Sequence, residues 1–170
     1  EHIRPVTPFT QRTNACKSGV LCNIVARPPT TGNTMDHLSF NQQVIEEFRA
    51  NDGVCGGPFE GAPMILVTMT GATSGRELCS PLVYSMDGDD AIIIASKGGA
   101  PSHPNWYYNL VANPACTVEI GTETYQATAV LAVDDRKELF DAQAAMMPQF
   151  TQYEIDAAPR EIPVFRLQRS

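Results

Sequence analysis

The sequence predicts a single α+β domain, a small barrel of about six mostly antiparallel strands with helices at its rim. Three observations predict it. Short β-rich runs recur between Met64 and Leu167, separated by Gly- and Asp-containing turns. Stretches before, between and after them carry apolar residues at helical spacing. The chain has 170 residues, 43% of them hydrophobic, which is enough for one buried core.

The elements follow in order. Ser39 with Gln42 fits a capping box, and Phe40, Val44, Ile45 and Phe48 fall on one helical face that Asn51-Asp52-Gly53 ends. Gly53 to Pro63 is a loop. Met64 to Thr70 is a strand, Gly71 to Gly75 a turn, and Leu78 to Met86 and Ala91 to Ser96 two further strands joined through Asp87-Gly88-Asp89. Pro104 suits the first turn of a short helix carrying Trp106, Tyr107 and Leu110. Cys116 to Ile120 and Thr124 to Val133 form a hairpin about Gly121, Asp134 to Met147 is helical, and Ile162 to Leu167 is a closing strand. Residues 1–34 have no apolar periodicity. They read as an N-terminal extension or linker, and residues 35–170 as the folded domain.

Charge and cysteine usage narrow the function. The net charge is −7, so nucleic acid is excluded as a partner, since phosphate binding needs a basic face. The basic residues Arg4, Arg12, Lys17 and Arg27 gather in the extension against one acid, Glu1, which allows at most a peripheral membrane contact. No apolar run approaches the ~20 residues of a membrane span, and no signal-peptide pattern is visible. Five cysteines at irregular spacing and three scattered histidines give neither a disulfide framework nor a metal site. Free thiols point to the cytoplasm, with any membrane contact at its inner face.

Three features carry chemistry. In Ser96-Lys97-Gly98-Gly99 a lysine leaves a buried strand, two glycines follow, and a helix begins at Pro104. Glycines let backbone N–H groups turn toward a ligand, a helix N-terminus favours an anion, and Lys97 adds a full charge. The spacing alone describes equally a glycine-rich turn with an exposed lysine. The second turn, Thr73-Ser74-Gly75-Arg76, offers hydroxyls and one cation, and is also the pattern of a plain hairpin. The third feature is aromatic. Trp106, Tyr107 and Tyr108 lie on the short helix, and Phe150 and Tyr153 fall in a Pro- and Gln-containing, loop-like region where they can line a pocket for a planar ring. No nucleophile triad, carboxylate pair or metal cluster emerges. Hydride transfer from a bound cofactor needs none of these.

Residues 41–168 resemble the deazaflavin-dependent nitroreductase and quinone-reductase family of actinobacteria. The resemblance runs through Phe48-Arg49-Ala50-Asn51, Gly56-Gly57-Pro58, Pro81-Leu82-Val83-Tyr84 and Ala95-Ser96-Lys97-Gly98-Gly99-Ala100-Pro101. It continues through His103-Pro104, Trp106-Tyr107-Tyr108-Asn109-Leu110 and Ile162-Pro163-Val164. It implies a split β-barrel that binds coenzyme F-420, a deazaflavin with a phosphate and an acidic tail. The implied cofactor contacts are Ser96, Lys97, Gly98 and Gly99, with Trp106, Asn109 and Leu110 behind them. Thr73, Ser74, Gly75 and Arg76 stand at the second turn, and Pro81, Leu82 and Val83 on the strand beside the ring. The substrate pocket maps to Met147, Phe150 and Tyr153, with Tyr153 placed to orient the acceptor or give it a proton. The implied activity is hydride transfer to a planar apolar acceptor (a quinone, an enone or a nitro compound) by a monomer or homodimer. A lipid- or fatty-acid-binding barrel and an FMN-binding enzyme are the alternatives on the same fold. Two departures matter. Where the family carries a basic residue and an arginine, this chain has Thr73 and Leu78. Each lost charge-assisted contact is worth ~1.5–3 kcal/mol.

Overall fold

The computed structural model describes residues 34–170, with side chains from Phe40 onward. The expectation of an N-terminal extension therefore lies outside the described residues, except for Thr34. That residue begins helix α1, Thr34–Ala50. The capping box placed at Ser39 is incorrect, because the helix is already running there. Gln42 Nε2 donates forward to Glu46 Oε1 at 2.9 Å. The predicted apolar face holds: Val44, Ile45 and Phe48 are buried. Asp52 (φ 52°) and Gly53 (φ 90°) then turn the chain out of the helix.

Seven strands follow: β1 Met64–Thr70, β2 Glu77–Val83, β3 Ser85–Asp87, β4 Asp90–Ile94, β5 Ala115–Ile120, β6 Glu123–Leu131 and β7 Val164–Arg169. They form one antiparallel sheet in the order β2-β1-β5-β6-β7-β4-β3. The predicted strand from Leu78 to Met86 is thus two strands broken at Tyr84, which is why seven are found where six were expected. β2 and β3 are the two edges of the sheet yet neighbours in the chain. With one residue between them, the sheet must curl until its edges approach, and this makes it a barrel rather than an open sheet. Tyr84 N donates to Pro63 O at 3.2 Å at that joint.

Four helices dress the sheet: α1, α2 Asn105–Ala112, α3 Arg136–Met146 and α4 Gln149–Ala157. Strand β1 is buried on both faces. Leu66 joins a core with Phe48, Phe140, Phe150 and Ile162, whereas Ile65, Val67 and Met69 join a second core with Leu110, Val118 and Phe165. Strand alternation delivers successive residues to opposite sides, so a run of apolar residues serves two cores. Helix α4 corrects the loop-like reading of Phe150 and Tyr153. Pro148 precedes the helix, where proline is tolerated, and Phe150, Tyr153 and Ala157 line one buried face. Of the described cysteines, Cys55 and Cys116 are buried and Cys79 half-buried, all as free thiols. Burial pushes the Cys116 thiol up to about 11, which keeps it protonated and inert near neutral pH. No helix among the described residues is long and apolar enough to cross a membrane.

One ion network locks the curled edge. Arg166 of β7 reaches Asp87 of β3 at 2.7 Å, Asp90 of β4 at 3.4 Å and Asp135, just before α3, at 2.7 Å. The hydrogen bond from Arg166 holds the Asp135 carboxyl below its usual range, and that from Arg169 does the same for Glu123. In the unfolded chain both take up protons nearer their ordinary values. Between the folded and unfolded pKa values the unfolded state therefore binds more protons, and stability falls with falling pH. The expected result is a midpoint of urea unfolding that is steady above about pH 5 and drops below about pH 4. The drop should be smaller in Arg166→Met, where the Asp135 shift is relieved.

Candidate functional site

Strand β4 ends at Ile94 and delivers the chain to a tight turn at Ser96–Ala100. Ala95 N donates to Pro163 O at 2.9 Å, and both Ala95 and Ser96 are fully buried. Lys97 (φ 49°), Gly98 (φ 61°) and Gly99 (φ 78°) are all left-handed. For lysine this conformation costs roughly 1–2 kcal/mol, so the turn holds a side chain against its local preference. The two glycines serve different ends. A Cβ at Gly98 would meet nothing within 4 Å, which leaves the backbone open to a ligand. A Cβ at Gly99 would lie 2.7 Å from Asp156 Cβ and 3.2 Å from Tyr153 Cα, so this glycine lets α4 pack against the turn.

Lys97 Nζ donates to Ser102 Oγ at 2.9 Å and to His103 O at 3.4 Å. Both partners are neutral, and among the described residues no carboxylate pairs with this cation. Beneath the turn lies Arg160, which sequence reasoning missed. Its guanidinium donates to Ala100 O at 2.9 Å, Ala95 O at 3.2 Å, Ser96 O at 2.9 Å and His103 Nδ1 at 3.0 Å. Burial lowers its affinity for its proton. Its partners in the turn lie some sixty residues upstream, beyond any local pattern. The one available signal was scarcity, since cations are few after residue 34. The hydroxyl of Ser96 is buried at the base of the same turn and has no hydrogen-bond partner among the described residues.

The second turn closes through Gly75 N to Gly71 O at 2.9 Å and Gly71 N to Arg76 O at 2.8 Å, with Ser74 Oγ accepting from Arg76 N at 3.3 Å. Thr73, Ser74, Gly75 and Arg76 are exposed. Helix α2 joins the two turns. Its N-terminus follows His103-Pro104, and Pro104 sits just before the first helical residue rather than within it. Asn109 Oδ1 accepts from Ala72 N at 2.9 Å. From Pro104 to Asn109 the helix rises roughly 7–8 Å, so the two cationic turns stand about that far apart along its axis. Leu110 is buried, and Trp106 packs on Phe165 with ring centroids 6.0 Å apart. Leu78 lies under the second turn, its Cδ1 3.1 Å from where a Gly71 Cβ would stand.

On β2, Leu82 packs with Trp106 and Tyr84 on one core, and Val83 is buried in the other. Pro81, Leu82 and Val83 therefore cannot all face one ring. Met147, Phe150 and Tyr153 are buried in the first core, with the Phe150 and Tyr153 rings 5.4 Å apart. Two open clefts lie elsewhere. One of about 340 Å³ is lined by Arg49, Thr68, Cys79 and Glu119, and one of about 520 Å³ by Val130, Val133, Asp135 and Arg166.

Comparison with known proteins places this arrangement. Residues 41–169 match the F420H(2)-dependent quinone reductase family. The chain belongs to that family. The match takes in every residue from Thr73 to Tyr153 considered above and leaves residues 1–40 outside. An F420H(2)-dependent quinone reductase of Mycobacterium tuberculosis (H37Rv) is 40% identical over 83 residues, which are 48% of this chain and 56% of the relative. The chain thus spans about half the length of that curated relative. Among solved structures, the F420-H2 dependent reductase FDR-A is 33% identical with a TM-score of 0.58, over 62% of this chain and 94% of the other. A protein solved as a domain-swapped dimer is 30% identical with a TM-score of 0.60, over 80% of this chain and all (100%) of the other. For this quinone reductase family chain, the fold is the split barrel it shares with FDR-A.

Proposed function

We propose that this chain is an oxidoreductase that holds reduced coenzyme F-420 and passes its hydride to a planar apolar acceptor such as a quinone. One observation carries the reading. Among the described residues, two cations without carboxylate partners, Lys97 and Arg160, converge on a left-handed turn whose Gly98 is open and whose Ser96 hydroxyl is unsatisfied. That donor set fits an acidic group. Arg160 adds its charge beneath the first turn, whereas Thr73 and Leu78 belong to the second, where Arg76 is the cation.

When bound, a reduced deazaflavin supplies a hydride. The chain's own residues do the rest. Lys97 and the open backbone at Gly98 hold the acidic part against the α2 N-terminus. Arg76, on the turn tied to Asn109, would offer the cofactor's acidic part a second cation. Leu82 and Trp106 offer an apolar wall for the ring. A quinone that accepts a hydride needs one more proton to become a hydroquinone. Tyr153, whose backbone packs on Gly99, is the phenol we assign to that step, with Phe150 and Met147 beside it. The small molecule is the only partner this reading requires, and the dimer of the 30%-identical relative supports a homodimer.

The test is anaerobic mixing with reduced coenzyme F-420 and a simple quinone, followed by cofactor absorbance. Oxidation of the cofactor that needs both protein and quinone supports the reading. No oxidation, with a lipid or a yellow flavin co-purifying instead, overturns it in favour of a binding barrel or an FMN enzyme.

A further inference from the structure

The contact between Arg160 and His103 has no part in holding a ligand directly. A guanidinium only donates, so His103 Nδ1, at 3.0 Å, is the acceptor, and the neutral ring carries its proton on Nε2. The imidazole lies 4.3 Å from the Tyr107 ring and 6.0 Å from that of Tyr108. The same residue's carbonyl accepts from Lys97 Nζ. His103 therefore ties both cations of the corner together, one through its side chain and one through its backbone. Arg160 in turn holds the carbonyls of Ala95, Ser96 and Ala100, which fixes the turn on both sides of its three left-handed residues.

We propose that His103 and Arg160 are positioning residues forming a proton-operated latch: neutral His103 keeps the Ser96–Ala100 turn closed, and protonated His103 releases it and weakens cofactor binding. The proposal rests on the deazaflavin reading for its consequence but not for the latch itself. A proton on Nδ1 removes the lone pair that Arg160 uses and sets two cations 3.0 Å apart. The charged groups facing the ring are Arg160, from the segment between α4 and β7, and Lys97, from the turn. Tyr107 and Tyr108 of α2 are the titratable ones. Burial first, and then Arg160 and Lys97, hold the imidazole below the usual histidine range, so the latch stays closed at neutral pH. Simple electrostatics gives the opposite sign, since a third cation beside an anion tightens its binding. The direction of the pH response therefore separates the two.

The experiment titrates the protein with coenzyme F-420 by fluorescence at about pH 8 and about pH 5.5, for wild type and His103→Gln. Glutamine offers an amide oxygen that accepts from Arg160 at either pH. In parallel, without cofactor, hydrogen exchange is followed at the amides of Gly99 and Ala100, which bond to Ser96 O at 3.1 Å and Lys97 O at 3.2 Å. The latch predicts wild-type binding severalfold weaker at the acid pH, by no more than about tenfold, with faster exchange after correction for intrinsic rates, and neither change in His103→Gln. Tighter acid binding, or weakening shared by His103→Gln with exchange unmoved, overturns it. Wild-type protein that binds at neither pH while its amides still respond to acid overturns the deazaflavin reading and supports the latch.

Discussion

Gly99→Ala is expected to lower stability by roughly 3 kcal/mol, a fall in Tm of about 10 °C for a domain of this size. The added methyl would stand 2.7 Å from Asp156 Cβ and 3.2 Å from the Tyr153 backbone carbonyl, and neither is the far end of a flexible chain. It would also force a side chain onto φ 78°. The turn and α4 must separate, and α4 carries Phe150 and Tyr153 into the core. Gly98→Ala is the control. It meets nothing within 4 Å and bears only the left-handed backbone cost of roughly 1 kcal/mol. Thermal melts of the two variants side by side check this. Equal losses would mean that the packing of α4 on Gly99 does not hold in solution.

Arg160→Met should weaken coenzyme F-420 binding about a hundredfold while lowering Tm by only a few degrees. The side chain makes four hydrogen bonds, three of them to carbonyls of the Ala95–Ala100 segment, and lies outside both apolar cores. Methionine keeps the length and loses the donors. The carbonyls of Ala95, Ser96 and Ala100 that flank the left-handed run then lose their guanidinium donor, and one of the corner's two cations is gone. Fluorescence titration with a parallel melt separates the effects. A large fall in Tm with unchanged affinity would make Arg160 a structural residue only.

How much of this was legible in the sequence depends on range. Local patterns survived: the β1 run, the hairpin about Gly121 and the helical face of Val44, Ile45 and Phe48 formed where spacing put them, and the closing strand formed two residues later than predicted, at Val164–Arg169 rather than Ile162–Leu167. The break at Tyr84 was not legible, because β2 and β3 read as one apolar-rich run. Only pairing with β1 on one side and β4 on the other divides them. Helix α4 was hidden by Pro148 and its glutamines, which resemble loop residues until Phe150, Tyr153 and Ala157 are seen to share a buried face. At the site, Lys97, Gly98 and Gly99 stood out as an anion corner. That Gly99 serves packing and Gly98 access depends on α4, a long-range neighbour. Arg160 was invisible for the same reason, as its partners are carbonyls and carbonyls carry no sequence signal.

In the proposed function, the Ser96–Gly99 turn holds the acidic part of coenzyme F-420 through Lys97. The most direct measurement is a fluorescence titration of wild type and Lys97→Ala with oxidised coenzyme F-420 at neutral pH. Saturable wild-type binding, weakened roughly ten- to a hundredfold by the substitution, is the predicted result, in line with the loss of one charge-assisted contact. Fluorescence that stays flat at cofactor concentrations of about 100 μM, or binding that Lys97→Ala leaves untouched, would contradict it.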